Sequence, residues 1–270
     1  MKKPSEVLGA ELVGGLKEVS TPWAGVALLI ELYRRAKLGE VADKVLPTKG
    51  SSKGLKQGQM VESFVLLSAL GGECLEDMKQ LRSDKGLGAI LAYLPPAAET
   101  ARQWLDRFHD ESLMGERPAQ GSFIPKESSG LAALNEIRRR GVTAYVNAMH
   151  PGDEVTLDVD ANLVETAKAQ AMYCYEGYKA YQPIVVCWAQ NMLVLADEFR
   201  DGNVPASKDI KRVVDVAYDM LPPGDWKVKV RSDAVANGGS LRAGGHRPLG
   251  WAGLGVRRER RHEPSVEARD

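Results

Sequence analysis

Three cysteines in 270 residues, Cys74, Cys174 and Cys187, are odd in number, far apart and never in a C-x-x-C pair. That excludes a disulfide framework or thiolate zinc site as the organising feature and fits a reducing cytoplasm. The four histidines, His109, His150, His246 and His262, show no ligand spacing. No G-x-x-x-x-G-K-[ST] loop and no G-x-S-x-G elbow occurs, which removes the P-loop and the serine-hydrolase elbow. Met1 to Glu6 has no apolar signal core, and the most apolar stretch, residues 24–32, is too short to span a bilayer, so no membrane role is expected. Net charge is zero, so no global basic field points to nucleic acid.

What is present is an uneven charge distribution on an ample apolar content of 44%. Lys and Arg against Asp and Glu count ten to six in residues 1–56, nineteen to twenty-six in 57–235, and seven to four in 236–270. The basic ends suit phosphate contacts or an ordinary solvated surface. The first half reads as helices, after a loose arm over 1–22: Trp23 to Leu38, Met60 to Leu70 capped by Gly71-Gly72, Leu75 to Arg82, Gly86 to Tyr93, and Glu99 to Ser112 with Ala101, Leu105 and Phe108 on one face. Residues 47–58 and 115–130 carry loop and linker chemistry, and Leu131 to Gly141 is a further helix. Residues 75–109 could hold a helix-turn-helix with Glu99 to Ser112 as recognition helix, although generic helix packing is the better reading of the segment by itself.

The period then changes to two. Val155, Leu157 and Val159 alternate with Thr156, Asp158 and Asp160. Gln182 to Trp188 and Met192 to Phe199 form a hairpin, Ser207 to Leu221 is an amphipathic helix with Ser207 as its cap, and Trp226 to Ser232 is a fourth strand. A helical crossover makes the fourth strand parallel to the strand it joins. If it joins the first, Asp160 and Asp233 become neighbours at two strand ends. Paired carboxylates there suit divalent ions, which accept oxygen ligands and, about 3.5–4 Å apart, activate the attacking and leaving oxygens of a phosphodiester. Asp158 shares a face with Asp160 and is its rival as a ligand; a turn or cap role is the plain alternative for both. Tyr173, Tyr175, Tyr178 and Tyr181 read as loop packing on the sheet, with stacking on bases as the alternative.

Several pieces occur in one order: Thr156-Leu157-Asp158-Val159-Asp160-Ala161-Asn162, Tyr175-Glu176-Gly177-Tyr178-Lys179-Ala180-Tyr181-Gln182-Pro183, Arg200-Asp201-Gly202-Asn203 and Val230-Arg231-Ser232-Asp233, preceded by Leu32-Tyr33-Arg34-Arg35 and Gly71-Gly72-Glu73-Cys74-Leu75-Glu76-Asp77. Together they resemble the DDE transposases of bacterial insertion sequences over roughly residues 20–235. The resemblance implies an α/β catalytic part, a ribonuclease-H-like fold with a mixed sheet, incomplete here, preceded by an all-helical N-terminal domain. It implies residues 1–114 as a DNA-binding or dimerisation region, 115–130 as a linker, 131–235 as the partial catalytic part and 236–270 as a disordered or out-of-frame tail. It implies DNA nicking and strand transfer with two Mg2+ ions (Mn2+ as substitute), and Asp160 and Asp233 as catalytic and metal-binding residues, with Asp158 a further ligand candidate. Arg34, Arg35, Arg102 and Arg107 are the DNA-contact candidates. The implied partner is double-stranded DNA at terminal inverted repeats, with a homodimer possible, in a bacterial cytoplasm at the nucleoid.

The third acid of that family's triad has no counterpart here. After Asp233 the chain carries no lysine, becomes rich in arginine and glycine, and loses strand and helix periodicity; Glu259, Glu263 and Glu267 come too soon to replace the missing glutamate. A catalytically incomplete chain is therefore expected, either a non-cleaving DNA-binding remnant or, on the residues alone, an unrelated α/β interaction module.

Overall fold

The computed structural model describes residues 6–7, 10–11, 20–23, 25–47, 54–110, 112, 115, 117–118 and 120–232. Two compact units emerge: one reaches to Asp110 and takes in Glu127–Arg140, the other comprises Glu111–Lys126 and the chain from Gly141 onward. Glu127–Arg140 thus group with the N-terminal helices, and Glu111–Lys126 with the later chain.

In the first unit, a two-residue ribbon, β1 (Glu6–Val7) and β2 (Ala10–Glu11), precedes six helices: α1 (Val26–Arg35), α2 (Leu38–Val45), α3 (Gln57–Ala69), α4 (Met78–Ser83), α5 (Lys85–Leu91) and α6 (Ala98–Leu105). The single helix expected over 23–38 is two, broken where Lys37 takes a left-handed φ of 58°. At the end of α3, Gly71 (φ 78°) donates to the Ser68 carbonyl and Gly72 to that of Leu67, the expected glycine cap. Helix α6 stops at Leu105, and residues 106–108 tighten into a 3-10 turn. Its buried stripe is Ala101 and Trp104; Leu105, expected inside, is 41% exposed. Trp104 takes that place because its ring packs on Phe64 and Phe108 while its Nε1 donates to Gln57 at 2.6 Å. Helices α2 and α3 touch through glycines: a Cβ on Gly58 would lie 2.6 Å from the Gly39 backbone. Helix α7 (Ser129–Met149) runs on through Gly141, where an end was expected, and gives Ala133 and Ile137 to this unit's core.

In the second unit, the four-stranded sheet has the order β8-β7-β3-β9, with β3 (Glu154–Ala161), β7 (Ile184–Trp188), β8 (Leu193–Glu198) and β9 (Lys227–Ser232). β3 is antiparallel to β7 and parallel to β9. The crossover is α8 (Ile210–Asp219), whose Ile210, Val213, Val214 and Ala217 join Val155, Leu157, Val186, Trp188 and Leu195 in one core. The helix begins three residues later than expected; Asp209, at φ 51°, precedes it and Ser207 makes no cap. A feature the sequence did not reveal is a second sheet, β4-β6-β5, from β4 (Val164–Glu165), β5 (Met172–Tyr173) and β6 (Lys179–Tyr181). The stretch expected as a linker is tied down: Arg117 pairs with Asp201 at 2.9 Å, Asn203 donates to the Gly121 carbonyl, and Lys208 Nζ donates to Ser122 at 2.8 Å.

Candidate active site

Strand β3 splits its residues cleanly. Val155, Leu157 and Val159 face the core, leaving Thr156, Asp158 and Asp160 on the other face. Asp160 is exposed near the strand's end and accepts a hydrogen bond from Asn162 Nδ2 at 2.6 Å. Asn162 thus braces the carboxylate.

Asp158 is engaged differently. Arg231 on β9 donates from Nε to its Oδ1 at 2.9 Å and from Nη2 to its Oδ2, a two-pronged pair across the parallel strands. Those hydrogen bonds, then the guanidinium's charge, hold the Asp158 carboxyl below the usual range. A metal ion there has to displace an arginine, whereas Asp160 needs no such exchange. The pair closes a charged ladder in which Lys227 meets Asp153 at 2.7 Å and Lys229 meets Glu154 at 3.8 Å. The alternating Lys227, Lys229 and Arg231 signal it in the sequence, but only once the register is known. Cys187 lies opposite Asp158; burial raises its thiol pKa, and the charges of Asp158 and Asp160 raise it further.

The lowered Asp158 carboxyl has a pH consequence. A folded-state pKa below the unfolded one contributes stability above the unfolded value, near pH 4, and that share is lost as pH falls through the folded pKa. Asp158→Asn is expected to unfold at lower urea than the parent at pH 7 and to converge with it by pH 2–3. An equal gap at both pH values would show that the ion pair contributes nothing.

The register brings Ser232 opposite Val159. Asp233, the next residue, lies outside the described residues, as do His246, His262, Glu259, Glu263 and Glu267. Among the described residues, no three His, Cys, Asp or Glu side chains cluster as a metal site. Exposed carboxylate oxygen suits a hard divalent cation, and of the two β3 aspartates Asp160 is bonded by the neutral Asn162 amide while Asp158 is bonded by a guanidinium.

The basic candidates sit in the first unit. Arg34 bonds Glu62 at 3.2 Å and the Leu91 carbonyl at 3.0 Å, bracing α1 against α3 and α5. The Glu62 it pairs with is buried and also accepts from Tyr93 at 2.9 Å. Arg35 pairs with Glu31 on its own helix, and Arg102 with Glu76 and Glu99. Arg107 is exposed. The structure does not gather these four into one patch by any mutual contact.

Sequence reasoning also passed over Arg200 as a structural charge. Its side chain is buried, with Nε on Glu198 at 2.6 Å and Nη1 on the Lys208 carbonyl at 2.7 Å. Its place in an Arg-Asp-Gly-Asn turn was visible; its burial was not. Among the described residues, no helix is long and apolar enough to cross a membrane. A family model described as Transposase DDE domain group 1 matches residues 16–234. No curated protein and no solved structure matches the chain.

Proposed function

The chain belongs to the transposase DDE domain group 1 family, and from that premise we propose a ribonuclease-H-like catalytic part in which Asp160 and Asp233 hold divalent cations, Mg2+ or Mn2+, against DNA. The observation that carries this is the β3–β9 register. Val159 stands beside Ser232, the last described pair of the two parallel strands, and Asp160 and Asp233 are the residues that follow them in the sequence. Alternation puts Asp160 on the face of Asp158, away from the core.

When bound, the cations supply a Lewis acid for the phosphodiester's attacking and leaving oxygens. Asp160 offers its carboxylate from a rigid central strand, and Asn162 restrains its rotation. Arg231 occupies Asp158, whereas Asp160 is bonded by a neutral amide. The substrate is double-stranded DNA at the terminal inverted repeats of a bacterial insertion sequence, met at the nucleoid in the cytoplasm by a chain able to pair with a second copy. Arg34, Arg35, Arg102 and Arg107 remain candidates for phosphate contact; the first three are paired with carboxylates, and Arg107 is exposed.

The chain as written is proposed to bind DNA without cutting it. The family's third carboxylate has no counterpart in the sequence after Asp233, and cleavage tolerates little misplacement of the groups that hold the metal. Mn2+ titration followed by electron paramagnetic resonance tests the cation site. Asp160→Asn is expected to weaken Mn2+ by at least about tenfold, since even outer partners of a ligand cost that much; an unchanged affinity sinks the site. Mg2+-dependent nicking of terminal-repeat DNA, abolished by Asp160→Ala, would overturn the non-cleaving reading.

A further inference from the structure

The small sheet prolongs the ribbon that carries Asp160. Partners in β3–β7 run from Leu157↔Trp188 to Ala161↔Ile184, and pairing resumes in the same register at Val164↔Tyr181 and Glu165↔Ala180. Two residues intervene on each side, Asn162-Leu163 and Gln182-Pro183, and Pro183 has no N–H to continue the ladder. No residue is gained or lost across the gap, so the alternation of faces carries through it. Val164 and Tyr181 therefore stand on the face of Asp160.

Aromatic surface gathers there. Phe199 lies against Tyr181 with ring centroids 4.6 Å apart. Tyr173 is the cross-strand partner of Lys179, two residues before Tyr181 and on the same face. These groups are open to solvent: Tyr173 is 64% exposed, Phe199 62% and Val164 50%. Large apolar groups contiguous and exposed on a sheet mark a binding surface.

We propose that Tyr173, Tyr181, Phe199 and Val164 form a stacking surface for unpaired DNA bases, on the face of the ribbon that carries Asp160. The identity of the ligand as DNA rests on the proposed function. The geometry narrows it further. A flat sheet face with open rings offers π-surface to any base, which makes such contacts sequence-tolerant, and it reaches only bases that have left a duplex stack. Lys179 beside Tyr173 adds a cation, whose Nζ donates to the Ala169 carbonyl at 3.0 Å. The surface leads along one ribbon to Asp160, so a strand laid on it runs toward the carboxylate.

The test uses the full chain and a 15-nucleotide single-stranded DNA bearing one 2-aminopurine, without divalent metal. Binding is expected to quench the probe. Tyr173→Ala and Phe199→Ala, both at exposed positions and checked for folding by circular dichroism, are expected to weaken binding at least about fivefold, the lower end of a base–aromatic stack, and to relieve the quenching. Tyr173→Phe keeps both properties, and duplex of the same sequence is indifferent to all three changes. Binding and quenching equal to the parent in both alanine variants would overturn the proposal, as would no binding of the single strand by the parent chain. If Mn2+ affinity proves insensitive to Asp160 while the aromatic variants still lose quenching, the cation site fails and the stacking surface stands.

Discussion

Trp188→Ala is expected to destabilise the second unit by about 3–5 kcal/mol, the range for deleting a large buried aromatic. Trp188 is the largest fully buried side chain of the described residues and ends β7 at its pairing with both Leu157 and Leu193. Its ring meets Trp226 edge-on, centroids 5.5 Å apart, and Trp226 is itself anchored by a bond to the Pro222 carbonyl. Truncation therefore opens a cavity at the point where the hairpin, the crossover and β9 converge. Trp188→Phe discriminates between size and polarity. Among the described residues the buried Trp188 Nε1 has no partner, so phenylalanine removes an unsatisfied donor along with part of the ring. Its cost should be only about 1 kcal/mol, since the donor's desolvation penalty is relieved. Urea unfolding followed by circular dichroism measures both; a phenylalanine variant as unstable as the alanine one would show that the indole's full volume is required.

Arg200→Met is expected to cost about 3 kcal/mol, at the low end for removing one partner of a buried ion pair. The low end applies because Glu198 keeps a second cation, Arg212, when Arg200 is lost. The larger part of the effect comes from the Lys208 carbonyl, which loses its donor just before α8, and from the turn whose Asp201 and Asn203 hold Arg117 and Gly121. Arg200→Lys should recover little, because one ammonium cannot meet Glu198 and the Lys208 carbonyl in the geometry of a planar fork. Urea unfolding again reads the outcome, and recovery of parental stability by lysine would show that charge alone matters.

The strands were legible because every second residue of β3 decides its face, and Val155, Leu157 and Val159 are all apolar. That β9 runs parallel to the strand it joins followed from the helical crossover; that this strand is β3 was assumed, and the register supplies it. Helix ends were less legible. Lys37 breaks α1 from α2 in a left-handed conformation that lysine does not advertise, and Gly141 sits inside α7 at a propensity cost of about 1 kcal/mol that tertiary packing overrides. The second sheet escaped notice because strands of two and three residues are too short to show a period. At the site, Asp160 was preferred over Asp158 only for its place at the strand's end. Their difference lies in Arg231, more than seventy residues on, and only the strand register reveals which of the two it takes.

The charged ladder has a consequence beyond the site. Among the described residues, β9 has β3 on one side and no strand on the other, so its second edge is a template onto which another chain could add a strand. Lys227, Lys229 and Arg231 place three cations along that border, and burying them beneath an incoming strand would strip their water and crowd like charges together. The same side chains that align β9 with β3 thereby guard the sheet against amyloid-like growth, a protection that salt weakens by screening.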